Sequence, residues 1–464
     1  MTLNEFKEKL KIRFEENTIF HSNEDFLSPL RKKSFNTFYA LGFPTTKLED
    51  WRFSNLENFI HEDYNYYLEN NEGNPDIEHF FRCEIMDLDT YSAVLLNGWF
   101  VYKNAPITKF ANGVIIGSLK KAFEEYPEII KKHYGKYCDI ENNALQALNT
   151  AFASDGVFIY VPDNITLDKP IQIINIINKK ENLFIQPRNL VIIGENSSLS
   201  FVMCDDALSH FPAFSNALTE IIVKPHASVD HYKMQNNNNH SAMINHIAFH
   251  QKDKSRVSSN IMSLNGGFIR NNTTIAVNGE YCETNLNGLY LVDGKQHVDN
   301  YTYIDHLKPN SISRELYKGI IDNKAKAVFS GKITVQKNAQ KTEAYQTNKN
   351  ILLTDEATIN TKPNLQIYAD DVKCSHGATV GQLDTEAMFY LQARGINENS
   401  ARMLLMNAFA EEVATKISIE PLRERICFLI EKRLKGELSI CDQCVLHCKK
   451  NEPLVFNIDM DKLK

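Results

Sequence analysis

Cys374 and His376 stand two residues apart in Lys373-Cys374-Ser375-His376, a thiol and an imidazole at the spacing of one face of an extended strand. Both groups bind iron: thiolate is the usual ligand of iron–sulfur clusters, and imidazole replaces it in Rieske-type centres. On such a strand Asp371 and Lys373 point the opposite way. A neighbouring imidazolium also lowers a thiol's pKa and favours its metal-binding form. A cluster normally takes four ligands, so two from one chain make a half-site to be completed elsewhere.

The tail carries a second candidate set, Cys441-Asp442-Gln443-Cys444-Val445-Leu446-His447-Cys448. On a helix Cys441, Cys444 and Cys448 share one face, and Cys-x-x-Cys is a common metal-ligand spacing. With His447 or an outside group, these thiols can hold zinc or a cluster, or store persulfide sulfur; the alternative is an exposed tail with no dedicated role. Cys83, Cys138, Cys204, Cys282 and Cys427 lie singly in apolar contexts and read as core residues. His246 and His250 can share a strand face but read as solvated or partner-facing. His297 and His306 have no obvious ligand partner in sequence.

Several chemistries are excluded. No Gly-x-x-x-x-Gly-Lys-Ser/Thr loop occurs, and Gly331-Lys332-Ile333 lacks both the first glycine and the hydroxyl residue, so ATP hydrolysis is not expected of this chain. A formal charge of -7 argues against electrostatic nucleic-acid binding. No apolar run reaches the roughly 18–20 residues of a membrane span, and the N-terminus lacks a signal peptide's apolar stretch. Nine cysteines, an odd number in 464 residues, do not make a disulfide framework. These features predict a cytoplasmic protein.

The elements that must position these residues fall into textures. Residues 1–155 read as mostly helical: 4–16 places Phe6, Leu10 and Phe14 on one face, 30–41 ends at Gly42-Phe43-Pro44, and 118–134 and 143–153 are further helices. Tyr91 to Tyr102 reads as strand. Residues 156–383 are short runs rich in Val, Ile, Phe and Thr, each resuming after a polar turn with no helix between. Such repetition predicts strands stacked coil upon coil in a parallel β-helix, with a β-sandwich as the competitor. Residues 384–438 read as helices, with Asp384 as a cap, Gly395 as a stop and Pro421 opening the last. They are expected to end the solenoid, and 439–464 form the cysteine-containing tail.

Residues 364–384, Asn-Leu-Gln-Ile-Tyr-Ala-Asp-Asp-Val-Lys-Cys-Ser-His-Gly-Ala-Thr-Val-Gly-Gln-Leu-Asp, closely resemble the signature of the SufB/SufD family. Phe389-Tyr390-Leu391, Arg394-Gly395-Ile396 and 408–413 continue the likeness. Upstream, Tyr317-Lys318-Gly319, 327–333, Gln340-Lys341-Thr342, Gln346-Thr347-Asn348 and Glu49-Asp50-Trp51-Arg52-Phe53 are also similar. The Ser375-His376-Gly377 form resembles the family's D-type branch rather than its B-type paralogue. The resemblance implies a mainly β protein: a right-handed parallel β-helix core flanked by N-terminal and C-terminal helical domains. It implies a non-catalytic scaffold in iron–sulfur cluster assembly, paired with a B-type subunit (SufB) and two copies of an ABC-type ATPase (SufC), with a homodimer when isolated. A transient cluster or iron is then expected at the interface between scaffolds, on Cys374 and His376. ATPase docking is expected on the C-terminal helices, through Phe389, Tyr390, Leu405, Phe409 and Val413. Competing functions are a B-type scaffold, a polysaccharide-active β-helix enzyme, for which no acid pair is evident, and an independent metal or redox protein built on the tail thiols.

Overall fold

The computed structural model describes residues 1–17, 27–70, 88–102 and 104–436. Its centre is a parallel β-helix whose strands alternate between two sheets. Ser198–Ala207, Ser228–Asn236, Arg256–Asn265, Glu283–Val292, Ile312–Ile321, Glu343–Leu352 and Lys373–Gly381 stack in one sheet. Ala213–Val223, Ala242–Gln251, Phe268–Val277, His297–His306, Lys326–Val335 and Thr358–Ile367 stack in the other. Partners one coil apart are Ser228, Arg256, Glu283, Ile312, Glu343 and Lys373, in parallel register throughout. The sandwich alternative is thereby set aside.

The coil repeat is held by backbone conformation. One residue per coil at the same corner adopts positive φ: Asn196, His226, Lys254, Tyr281, Asn310 and Lys341. At five of these, Tyr281 aside, the amide donates to a carbonyl of the next coil, as in Asn196 to Pro225 at 3.1 Å and His226 to Asp253 at 2.9 Å. Left-handed backbone is uncommon outside glycine, so the corner is costly alone and is fixed by the stack.

Both outer sheet faces are covered. Helices α1 (Leu3–Glu16), α2 (Leu27–Leu41) and α5 (Ala144–Phe152) pack Phe6, Phe35, Phe38 and Phe152 against Phe184, Phe214, Ile244 and Phe268 of one sheet. The span predicted as one helix over 118–134 is two, α3 (Leu119–Glu125) and α4 (Pro127–His133), because Pro127 lacks the amide needed to continue α3. After α6 (Thr385–Ala393), helices α7 (Glu398–Ala414) and α8 (Glu420–Leu434) and the link between them pack Met406, Ala410, Val413, Ile417 and Ile426 against Val202, Tyr232, Met262 and Leu289 of the other sheet. The C-terminal helices therefore lie along a sheet face and do not end the solenoid as expected. Burial on both faces explains strands that read as continuous apolar runs. The sheets also extend upstream of residue 156, since Tyr91–Leu96 pairs with Ile171–Ile177 and Ile115–Ser118 with Val157–Val161.

The Glu49-Asp50-Trp51 turn latches the N-terminal region to the solenoid. Trp51 stacks on Arg270, whose guanidinium lies 4.0 Å from the ring and pairs with buried Asp299. Ser54 Oγ donates to Asp299 at 2.5 Å and meets His297 Nε2 at 3.0 Å. His297 thus has a structural partner that the sequence did not reveal.

Candidate functional site: the open end of the solenoid

Among the described residues, Lys373–Gly381 pairs only with Glu343–Leu352 and Thr358–Ile367 only with Lys326–Val335, so each has one strand edge without a described partner. Cys374 aligns with Ala344 and His376 with Gln346. Ala344 and Gln346 are 0% and 1% exposed in the coil above. Alternation then puts Cys374 and His376 on the lumen side of the last coil. Cys374 is half-buried against the interior core, and this burial pushes its thiol up, opposite to the lowering expected from an adjacent imidazolium. His376 is exposed. Lys373, on the other face, pairs with Glu343 at 3.1 Å.

Exposed apolar side chains lie on the last coil and on the helix that follows it. Ile367, Tyr368 and Val380 are exposed on or beside the terminal strands, and Phe389 and Tyr390 are 72% and 56% exposed on α6, which buries none of its residues. The other docking residues expected from the resemblance differ. Leu405 and Phe409 are half-buried, and Val413 is 0% exposed against the sheet. Lys318 fixes Phe409, donating to its carbonyl at 2.8 Å with the ammonium 4.1 Å from the ring. Val413 is therefore a packing residue, since its stripe is the one α7 turns to the sheet.

Behind the mouth the lumen is polar, which sequence reasoning missed. Gln346 Nε2 donates to Glu315 Oε2 at 2.5 Å. Asn348 Oδ1 accepts from Asn350 at 2.7 Å and Thr361 at 2.8 Å, and Asn348 Nδ2 donates to the Tyr290 hydroxyl at 3.0 Å. Burial raises the Glu315 carboxyl to about 7. The available signal was the unbroken polar run Gln346-Thr347-Asn348-Lys349-Asn350 inside a strand of the stack.

Other candidates separate from this end. His246 and His250 are held against α5 and Tyr137, and burial lowers them to about 3 and 4. His306 meets Ser313 at 2.9 Å. Cys204 and Cys282 are buried, Cys138 and Cys427 half-buried. Cys83 and the tail set Cys441, Cys444 and Cys448 lie outside the described residues. Among the described residues no three His, Cys, Asp or Glu side chains converge in a metal-sized group, so Cys374 and His376 offer two ligands. No described helix is long and apolar enough to cross a membrane.

Two family models cover most of the chain: "SUF system FeS cluster assembly, SufBD core domain" over 175–409 and "SufBD protein N-terminal region" over 8–173. This chain belongs to the SufB/SufD family. A SufBD family protein of Synechocystis is 29% identical over 91% of this chain and 94% of its own. SufD of Escherichia coli is 28% identical over 88% and 93%, and SufD of Bacillus subtilis 25% over 70% and 74%. The SufB/SufD assignment makes the chain an iron–sulfur cluster assembly protein.

Proposed function

We propose that this chain is the D-type scaffold subunit, which pairs through its open solenoid end with a B-type paralogue and contributes Cys374 and His376 to a shared site of iron acquisition and cluster assembly. The observation that carries the reading is the strand Lys373–Gly381, whose outer edge has no partner among the described residues, with a thiol and an imidazole on its lumen side and exposed apolar residues on and after the last coil. Free strand edges template pairing with another chain, and two ligands suit a site that a second chain completes. The nascent cluster is cargo, completed and released.

An ABC-type ATPase is the proposed second partner, docking on Phe389 and Tyr390 with Leu405, while Phe409 and Val413 support that surface from beneath. The ATP chemistry belongs to that partner. Free cysteines suit the reducing cytoplasm in which we place the protein. The test is co-expression with the B-type and ATPase proteins, comparing wild type with Ala378→Pro, which removes an amide and stiffens the edge strand. The reading expects the ternary complex to be lost while the isolated chain keeps its melting temperature. A folded variant that still assembles overturns it.

A further inference from the structure

His376 is the last residue of a column that runs inward along one wall of the lumen through Gln346 to Glu315. Gln346 Nε2 donates to Glu315 Oε2 at 2.5 Å, whereas Gln346 Oε1 is buried without a hydrogen-bond partner. A buried, unpaired carbonyl oxygen is unfavourable by about 1–3 kcal/mol, and the next side chain of the column, on the same face and one strand spacing away, is His376. The amide has one usable orientation while the carboxylate accepts: its NH₂ must face Glu315, which leaves its oxygen free for another donor. The opposite wall holds it there, since a Cβ on Gly331 would lie 2.2 Å from Gln346 Nε2.

We propose that Gln346, clamped by Glu315, is the positioning residue of His376: its free oxygen accepts one ring N–H and leaves the other ring nitrogen as a lone pair at the open end. Metal-binding histidines use this arrangement, in which a partner on one nitrogen fixes the tautomer and ring orientation for the other. The inference rests on the reading of His376 as a ligand, yet it concerns the metal-free chain and can fail separately. Glu315, Gln346 and Gly331 lie on three different strands, so no short motif announces them together.

The test is the neutral tautomer ratio of His376, read from ring ¹⁵N shifts in the full-length, metal-free chain at pH 8, with the signal assigned by its loss in His376→Gln. Gln346→Met keeps the volume and removes the acceptor. Gly331→Ala leaves Gln346 in the sequence but displaces its amide from the opposite wall. The expected result is a ratio shifted about fivefold by Met and by Gly331→Ala, the factor one net hydrogen bond supplies. If Met fails to fold, Gly331→Ala decides, because its closest clash, 2.2 Å, falls on the amide end of the Gln346 side chain and the Phe329 ring is met only at 2.9 Å. A ratio unchanged in the folded variants overturns the proposal. Loss of iron binding in His376→Ala with an unchanged ratio would remove the positioning role and leave the ligand role standing.

Discussion

Replacing Arg270 with leucine strands a charge that folding has buried. Arg270 and Asp299 are paired at 1% and 2% side-chain exposure, and the guanidinium also donates to Asn272 at 3.0 Å and stacks on Trp51. In Arg270→Leu, Asp299 keeps the Ser54 hydroxyl but loses its counter-charge. Removing one member of a buried pair costs about 3–5 kcal/mol. The loss falls first on the latch, because Trp51 and Ser54 both rest on this pair. Hydrogen exchange at the Trp51 and Ser54 amides, bonded to Leu48 and Trp51 carbonyls at 2.9 and 3.0 Å, reads local opening. About 3 kcal/mol corresponds to exchange roughly 150-fold faster. The sequence has two tryptophans, so in a Trp99→Phe background the emission of Trp51 reports the same event and is expected to shift toward the red. Arg270→Leu combined with Asp299→Leu removes both charges and is expected to recover part of the loss. Exchange less than fivefold faster, with unshifted Trp51 emission, would refute the reasoning.

Glu315 links stability to pH. Its carboxyl lies near 7 in the fold against 4.5 as the ordinary value, so the folded state holds the proton more tightly. The stabilisation is full below about pH 4.5 and is lost as pH rises through about 7, in all about 3 kcal/mol. Asp206 is raised to about 7 as well, so the comparison is wild type against Glu315→Gln, which should show a flatter denaturation profile over that window; an equal slope contradicts it. Ile417→Ala opens a cavity where α7 meets the sheet and should destabilise by about 2–5 kcal/mol in urea titrations. Phe389→Ala combined with Tyr390→Ala should leave that titration unchanged and weaken co-purification of the ATPase. A Cys441/Cys444/Cys448→Ser variant decides between the two readings of the tail: a fall in bound metal or in sulfide-derived sulfur in the full-length chain supports a metal- or sulfur-holding tail, and unchanged values of both leave it without a dedicated role.

Much of this organisation was legible in the sequence, and what was not has physical causes. Helix ends were readable because Asp384 and Pro421 act locally, and Asp384 accepts from the Glu386 and Ala387 amides as a cap should. The stacked strands were readable as a texture, but the coil length was not. The recurring corner is defined by backbone conformation, and Asn, His, Lys and Tyr all occupy it. The direction of Cys374 and His376 was hidden for a related reason. At this end the lumen itself is polar, so polarity does not alternate along the strand, and only the register with Ala344 and Gln346 assigns them to the lumen. Val413 looked available because a single helix stripe carries no mark of whether a sheet or a partner covers it. The Glu315–Gln346 contact joins residues 31 apart, one coil, beyond the reach of local pattern.

The account stands on His376 being a ligand at a shared site. Its most direct test is pulsed electron paramagnetic resonance of the reduced cluster in a complex reassembled from separately expressed chains, with this chain alone labelled with ¹⁵N-histidine. The account predicts a ¹⁵N hyperfine coupling from a directly bound imidazole that disappears in His376→Ala. A cluster that forms in wild type with no such coupling, or whose coupling survives the substitution, would contradict it.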